Sequence, residues 1–470
     1  MLENKDKNFI VGPVKDFIED YSQSNKVRLH MPGHKGAFGY DGDITEITGA
    51  DSLYEADGII AESEKQTSDL FGTYRTFYGT EGSSQLIKAM CFLAVQRSSS
   101  DRPVILAARN AHKSFIYASM LLGFDIKWIS PKRDSYSLCK CDLSASELEE
   151  VLKNEMKPGT DTNLAAVYIT SPDYLGNILD IKGLASVAHQ FGLPLMVDNA
   201  HGAYLKFLEG SDLHPVSLGA DIVCDSAHKT LPVLTGGAYL HISKDSLFID
   251  SENIVRKTLL MFGSTSPSYQ ILESLDMVPE RLGKLHFGET VIRVAELKRN
   301  LAEMGYRVCG TSDDMLYEPF KITIELSGTG IDGVSILSLL SKSGIECEYA
   351  DPDYLVTMWS PYNEYPGDYD RFLDKMREIT SGLSPNAEKE ESNIIEDYTL
   401  PEVKYQPYEI MYKPHFTEQL DDSLIGRVAA DTMISCPPAI APIVAGEVID
   451  ENVLQVLKHY NIKTLEVLKV

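Results

Sequence analysis

Between Phe71 and Ile242 the chain alternates short apolar runs with longer stretches of helical periodicity, and this alternation restricts the fold more than any other feature. The runs are Val104 to Ala108, Ile126 to Ile129, Leu164 to Thr170, Leu193 to Asp198, Asp221 to Asp225 and Gly237 to Ile242. Apolar, β-branched runs of this length read as strands covered on both faces. Strands separated by helices pair in parallel through right-handed crossovers. The expectation is an α/β fold whose mainly parallel sheet carries helices on both faces. After Ser266-Pro267 the pattern turns helical through about Met304. Lys321 to Leu326, a helix from about Asp332 to Ser343, and Glu346 to Tyr349 then predict a smaller C-terminal α/β domain. The chain divides into an N-terminal arm over 1–50, a major domain over 51–305 and a small domain over 306–470. Ser384 to Tyr405, rich in Glu, Asn, Pro and Lys, reads as a connector.

Composition removes several function classes. The 470 residues are 43% hydrophobic, enough for a large core, and carry a net charge of −26. A surface this acidic does not suit a nucleic-acid backbone, which needs clustered Lys and Arg. It suits a cationic substrate, and it also serves plain solubility. Met1 to Glu19 has interspersed charges and no apolar core like that of a signal peptide. No stretch elsewhere is long enough to span a bilayer, so a cytoplasmic protein without a membrane partner is expected. The seven cysteines are scattered, and the closest pair, Cys139 and Cys141, has no matching second pair. Neither a metal site nor a disulfide framework is expected.

The chemistry is concentrated where apolar runs end. Leu193 to Val197 terminates in Asp198, and Asp221 to Asp225 leads into Ser226-Ala227-His228-Lys229-Thr230. Both segments then lie at the carboxyl ends of buried strands, where open α/β sheets place their ligands. A lysine there can form a Schiff base with pyridoxal phosphate, and a carboxylate can keep the pyridine nitrogen protonated. A purely structural pair of strands leaves the same trace. Gly82-Ser83-Ser84 precedes the apolar helical run Leu86 to Val95; its N–H groups and hydroxyls make a receptacle for a phosphate dianion, or a plain serine cap. Arg109-Asn110-Ala111-His112-Lys113-Ser114 follows another run, so His112 can stack on a flat ring or serve as a structural hydrogen-bonder. His201 and His228 stand beside Asp198 and Lys229, within reach of the same ring. His30 to Gly36 is a Gly/Pro loop with two imidazoles and no metal spacing; it reads as a turn or as an arm that packs on another subunit. Cys436 to Glu447, apolar and proline-rich, reads as a stiff extended element that fixes Glu447.

Taken together, these segments resemble the fold type I Orn/Lys/Arg decarboxylases of bacteria, in the short form without a receiver-like N-terminal domain. The resemblance runs from His30 through Gly446-Glu447. It is carried by His30-Met-Pro-Gly-His34-Lys-Gly36, Asp43-x-Thr45-Glu46, Arg109-Asn-x-His112-Lys113-Ser114, Asp198-x-Ala200-His201-Gly202-Ala203, Ser226-x-His228-Lys229-Thr230-Leu231-Pro232 and Ser264-Thr265-Ser266-Pro267-Ser268-Tyr269. It implies pyridoxal-phosphate-dependent decarboxylation of arginine, lysine or ornithine to the corresponding amine. By the same resemblance Lys229 is the Schiff-base lysine and Asp198 the partner of the pyridine nitrogen. His112 stacks on one ring face and Ala200 packs against the other, with His201 beside it. Ser83, Ser84, Ser226 and His228 surround the phosphate or the aldimine, and His228 or Lys229 returns the proton. A homodimer or higher homo-oligomer is implied, with Ser264 and Thr265 reaching the phosphate of the neighbouring subunit. Glu447 meets the distal cationic group of the substrate.

The chain departs from the family pattern at six positions. Asn199 replaces a usual Glu, Tyr204 a His, Glu81 an Asn, Gly236 a Gln, Leu86 a Gly and Ala445 a Pro. None removes the lysine, the aspartate or the stacking histidine. Two other readings fit this sequence: another fold type I reaction, such as transamination or elimination, and a non-catalytic cofactor-binding subunit that regulates a relative.

Overall fold

The computed structural model describes residues 12–130, 137–157, 159, 163–249, 252–311, 316–327, 331–363, 367–382, 398–432 and 440–469. The first seven strands among the described residues are β1 (Arg75–Gly79), β2 (Val104–Ala108), β3 (Asp125–Ile129), β4 (Leu164–Thr170), β5 (Leu195–Asp198), β6 (Ile222–Asp225) and β7 (Ala238–Ile242). The chain folds into two compact units. The first comprises residues through Gln96 and Pro194–Leu285, the second Arg97–Leu193 and His286 onward.

In the first unit the strand order is β1-β7-β6-β5. β5 and β6 are parallel, while β7 runs antiparallel to both β6 and β1. Every residue of β5, β6 and β7 is buried. Strands covered on both faces have no polar alternation to show, which is why they read as unbroken apolar runs. In the second unit β2 lies between β4 and β3, parallel to each.

The second unit also holds a four-stranded antiparallel sheet made by β8 (Arg307–Val308), β9 (Lys321–Glu325), β10 (Tyr349–Ala350) and β11 (Tyr354–Met358), in the order β10-β11-β9-β8. A separate antiparallel pair is formed by β12 (His415–Gln419) and β13 (Thr464–Leu468), far apart in the chain. The run Glu346 to Tyr349 contributes a strand only at Tyr349–Ala350, and β11, which the sequence reading passed over, is the longer partner. Ile322, Ile324, Leu355, Ile336, Leu340, Phe372 and Met376 share one core under this sheet. Of the connector, 384–397 lie outside the described residues, as do residues 1–11 of the arm and 436–439 of the proline-rich segment. From Ile440 to Glu447 the chain is a series of bends and a turn rather than an extended element. Gly446, at φ 96°, turns the chain so that Glu447 N–H reaches the carbonyl of Val444 at 3.0 Å.

Three helix starts of the second unit carry acidic or hydroxyl side-chain caps. Ser144 and Glu147 form a capping box on the helix Ala145–Glu155, and Asp332 and Asp450 accept from Ser335 and Val453 N–H. No helix among the described residues is long and apolar enough to cross a membrane.

One buried cap titrates. Asp276 Oδ2 accepts Val14 and Lys15 N–H at 3.0 and 2.9 Å at the start of the helix Pro13–Gln23, and Oδ1 accepts Ser63 Oγ–H at 2.6 Å. Burial pushes its pKa up to about 6, although these donors pull it back. The folded state therefore holds this proton more tightly than the unfolded chain. The stabilisation is full below about pH 4 and is lost as pH rises through 6, on the order of 2 to 3 kcal/mol. Asp276→Asn is expected to flatten the dependence of melting temperature on pH between 4 and 6. A wild-type slope in the variant would assign that dependence to another group.

Candidate active site

Parallel strands β5 and β6 place Asp198 in register with Cys224, so Asp198 and the segment after Asp225 emerge from neighbouring strands at the same sheet edge. Asp198 Oδ1 accepts the N–H of Ala200 at 3.1 Å and the thiol of Cys224 at 3.6 Å. After β6 the chain makes one helical turn, Ala227–Thr230, which carries Lys229. Lys229 Nζ lies 2.9 Å from His201 Nε2, so the sheet edge joins the two residues that the sequence placed near one ring. Ser226 Oγ donates to Ser83 Oγ at 2.9 Å. Ser83 opens the helix Ser83–Arg97, and Ser84 follows it, half-buried.

Two glycines shape this corner. Gly82, at φ 69°, donates its N–H to the carbonyl of Gly236 at 2.8 Å. Gly236 is itself left-handed at φ 97°, and a Cβ there would meet the Thr80 carbonyl oxygen at 2.7 Å. The departure at 236 thus follows from a close backbone approach that only glycine permits. His228 uses Nδ1–H and its backbone N–H on the same carbonyl, Gly237 O, at 3.0 and 3.1 Å. Burial lowers the pKa of this imidazole, and adjacent Lys229 adds to the effect. Ala200 is buried. Ser264 and Thr265 sit in an exposed turn, where Ser264 Oγ accepts Ser266 N–H at 3.1 Å.

The donor set of this unit fits pyridoxal phosphate. A helix start with a left-handed glycine and two paired hydroxyls offers N–H groups and a partial positive charge to a phosphate dianion. A carboxylate oriented through one oxygen, and a lysine amine held by an imidazole, supply the two groups that the pyridine nitrogen and the aldehyde require.

Sequence reasoning missed a buried network next to these residues. Asp225 Oδ2 accepts from His214 Nε2 at 2.9 Å and His241 Nε2 at 3.1 Å, and Oδ1 accepts from Asn199 Nδ2 at 2.6 Å. The three His and Asp ligand atoms lie within 4.8 Å of one another, close enough to consider a metal. The hydrogen bonds account for them otherwise. Val216 N–H donates to His214 Nδ1 at 3.3 Å, and the Thr76 hydroxyl lies 2.9 Å from His241 Nδ1. Each ring is then the Nε2–H tautomer and donates to Asp225. The only sequence signal was a histidine inside the fully apolar strand β7.

In the second unit the strand end of β2 presents Arg109, Asn110 and His112. His112 caps the helix Lys113–Leu122, with Nδ1 accepting Ser114 N–H at 3.2 Å. Arg109 is buried and donates from Nη2 to Glu447 Oε2 at 3.0 Å and to Tyr398 Oη at 3.4 Å. Its guanidinium lies over the Trp128 ring, 4.8 Å from the centroid. Glu447 Oε2 also accepts Val444 N–H at 2.7 Å, whereas its buried Oε1 has no hydrogen-bond partner among the described residues. Burial raises the Glu447 pKa, and Arg109 draws it back. Arg109, a residue given no role in the sequence reading, is therefore the structural partner of the carboxylate singled out there.

The sequence profile described as "Orn/Lys/Arg decarboxylase, major domain" matches residues 12–307, more than half of the chain. The chain belongs to the Orn/Lys/Arg decarboxylase family. It is a pyridoxal-phosphate-dependent amino acid decarboxylase by that membership. Among characterised relatives, the arginine decarboxylase of Bacillus subtilis is 26% identical over 474 residues, covering 95% of this chain and 93% of that protein. An uncharacterized protein of the same organism, YaaO, is 27% identical over 472 residues with the same coverage. The fold matches that of lysine decarboxylase A from Pseudomonas aeruginosa with a TM-score of 0.81 at 18% identity, covering 98% of this chain and 80% of the other.

Proposed function

We propose that this decarboxylase acts on arginine, lysine or ornithine, with Lys229 as the cofactor-binding lysine and Asp198 as the partner of the pyridine nitrogen. The observation that carries the reading is the placement of these two residues at the ends of adjacent parallel strands, with Lys229 Nζ on His201. Pyridoxal phosphate, when bound, supplies an electron sink for the pair released as the substrate carboxylate departs as carbon dioxide. The residues of the chain do the rest. Asp198 keeps a proton on the ring nitrogen, its rotation set by Ala200 N–H and Cys224. Ser83, Ser84 and Ser226 bind the phosphate at the helix start, with Ser264 and Thr265 of a partner copy in a homodimer. By resemblance, His112 stacks on the ring, with Ala200 and His201 on the other side. Lys229 is the better proton donor to the α-carbon, because His228 has Nδ1–H committed to Gly237 and a pKa lowered by burial. Glu447 Oε1, buried and without a partner among the described residues, is the acceptor assigned to the distal cation of the substrate. A cytoplasmic location accords with such small-molecule chemistry.

The test is a carbon dioxide release assay over arginine, lysine, ornithine and neutral amino acids, with the amine product identified. Release from at least one basic amino acid, and none from neutral ones, is expected. Keto acid without carbon dioxide would move the reaction to transamination. A lysine-bound cofactor spectrum without turnover of any amino acid would make the chain a non-catalytic subunit.

A further inference from the structure

Asn199 and Asp225 flank the two cofactor anchors, one directly after Asp198 and the other directly before Ser226. Both are 0% exposed. Asn199 ties the ends of β5 and β6 twice: its backbone N–H donates to the carbonyl of Cys224 at 2.9 Å, and its Nδ2 donates to Asp225 Oδ1 at 2.6 Å. The second bond has an ionised acceptor. Burial alone would raise the Asp225 pKa, but His214 and His241 hold it well below the usual carboxylate range. His241 stays neutral, because burial outweighs the pull of Asp225. A charge-assisted bond of this kind is stronger and more directional than a neutral one.

Asn199 Oδ1 has no hydrogen-bond partner among the described residues, so the amide's rotation is set through Nδ2, which meets Asp225 Oδ1 at 2.6 Å and lies 3.1 Å from His214 Nε2. The usual glutamate at 199 would bring a second carboxylate against Asp225 in a fully buried site, where two like charges cannot both remain ionised. Asparagine, one methylene shorter, brings an amide that donates instead. The next link is the backbone: moving Asn199 moves Asp198, whose carboxylate faces the Cys224 thiol one residue before Asp225.

We propose that Asn199 is a positioning residue whose amide, clamped on Asp225, sets the spacing between Asp198 and the Ser226–Lys229 turn and so the fit of pyridoxal phosphate to both anchors. The inference rests on the reading of Asp198, Ser226 and Lys229 as those anchors.

The full-length Asn199→Ala variant tests it, because it removes the clamp while leaving Asp225 both imidazole donors. The measurements are the dissociation constant of pyridoxal phosphate for the apoprotein, the pH midpoint of the lysine-bound chromophore, and the melting temperature of the apoprotein. The expected result is cofactor affinity weaker by about 10- to 100-fold, the scale set by misplacement of reacting groups, together with a displaced pH midpoint. An unchanged affinity and midpoint overturn the proposal whatever the melting temperature does, since the amide then supports only the fold. If Asn199→Ala does not fold, Asn199→Ser, shorter yet still a donor, carries the same test: a smaller loss and a displaced midpoint are expected, and no change in either overturns it. Borohydride fixation of the wild-type holoprotein separates the two levels. Label on Lys229 supports the anchors independently of the clamp; label on another lysine sinks the anchors, and the proposal with them.

Discussion

Lys229→Ala is expected to abolish the absorbance of the lysine-bound cofactor near the visible edge and to reduce carbon dioxide release by at least about 10³-fold, the usual scale for removing a group that acts covalently and in proton transfer. The argument begins with geometry. Lys229 sits on a single turn after the buried strand β6, and its amine is within 2.9 Å of His201. Its own backbone N–H is held by Ser226 O at 2.9 Å, so the turn presents it in one orientation. Alanine fits the turn without strain, and the apoprotein should melt close to wild type. Pyridoxal phosphate should still bind, more weakly, through Asp198 and the Ser83–Ser226 pair, and show the spectrum of the free aldehyde. A variant that keeps the lysine-bound band would pass the role to another residue, with Lys113 the first to examine.

The strands that position this lysine were legible in the sequence because they are buried on both faces and carry no alternation to misread. Asp198 and Ser226 could be placed at strand ends for the same reason. β12 and β13 were not legible: β12 is mostly exposed and polar, and its pairing spans 49 positions between Thr417 and Glu466. The network on Asp225 was hidden differently. His214 and His241 reach the carboxylate from 11 positions before and 16 after it, the first from the loop ahead of β6 and the second through the pairing of β7 with β6, and neither spacing is a local pattern. Arg109 was visible as a cation at a strand end, but its counter-ion lies 338 residues away. In both cases a buried charge was readable as a residue type and unreadable as a pair, since only the tertiary fold says which partner neutralises it. The six departures from the family pattern show the same limit. Gly236 and Asn199 have local physical reasons, a close carbonyl and a neighbouring carboxylate, that appear only with coordinates.

Glu447→Gln is expected to raise the KM for basic amino acids by about 10- to 100-fold, the equivalent of losing one hydrogen bond to a charged group, and to destabilise the protein. The two effects come from different oxygens. Oε2 is committed to Arg109 and Val444, whereas Oε1 is buried without a partner among the described residues. Glutamine can still accept from Arg109, but it leaves the buried guanidinium without the counter-charge of Glu447. Breaking a buried pair in this way costs about 3 to 5 kcal/mol when the partner is lost outright, so the amide should fall at or below the lower end. Arg109→Met/Glu447→Leu removes both charges and should recover much of the stability, because the pair must offset its own desolvation. It should not recover the substrate. A double variant that regains normal melting yet keeps the raised KM would separate a recognition role for Glu447 from its structural one. Wild-type KM in Glu447→Gln, together with lowered melting, would leave the carboxylate as the counter-ion of Arg109 alone.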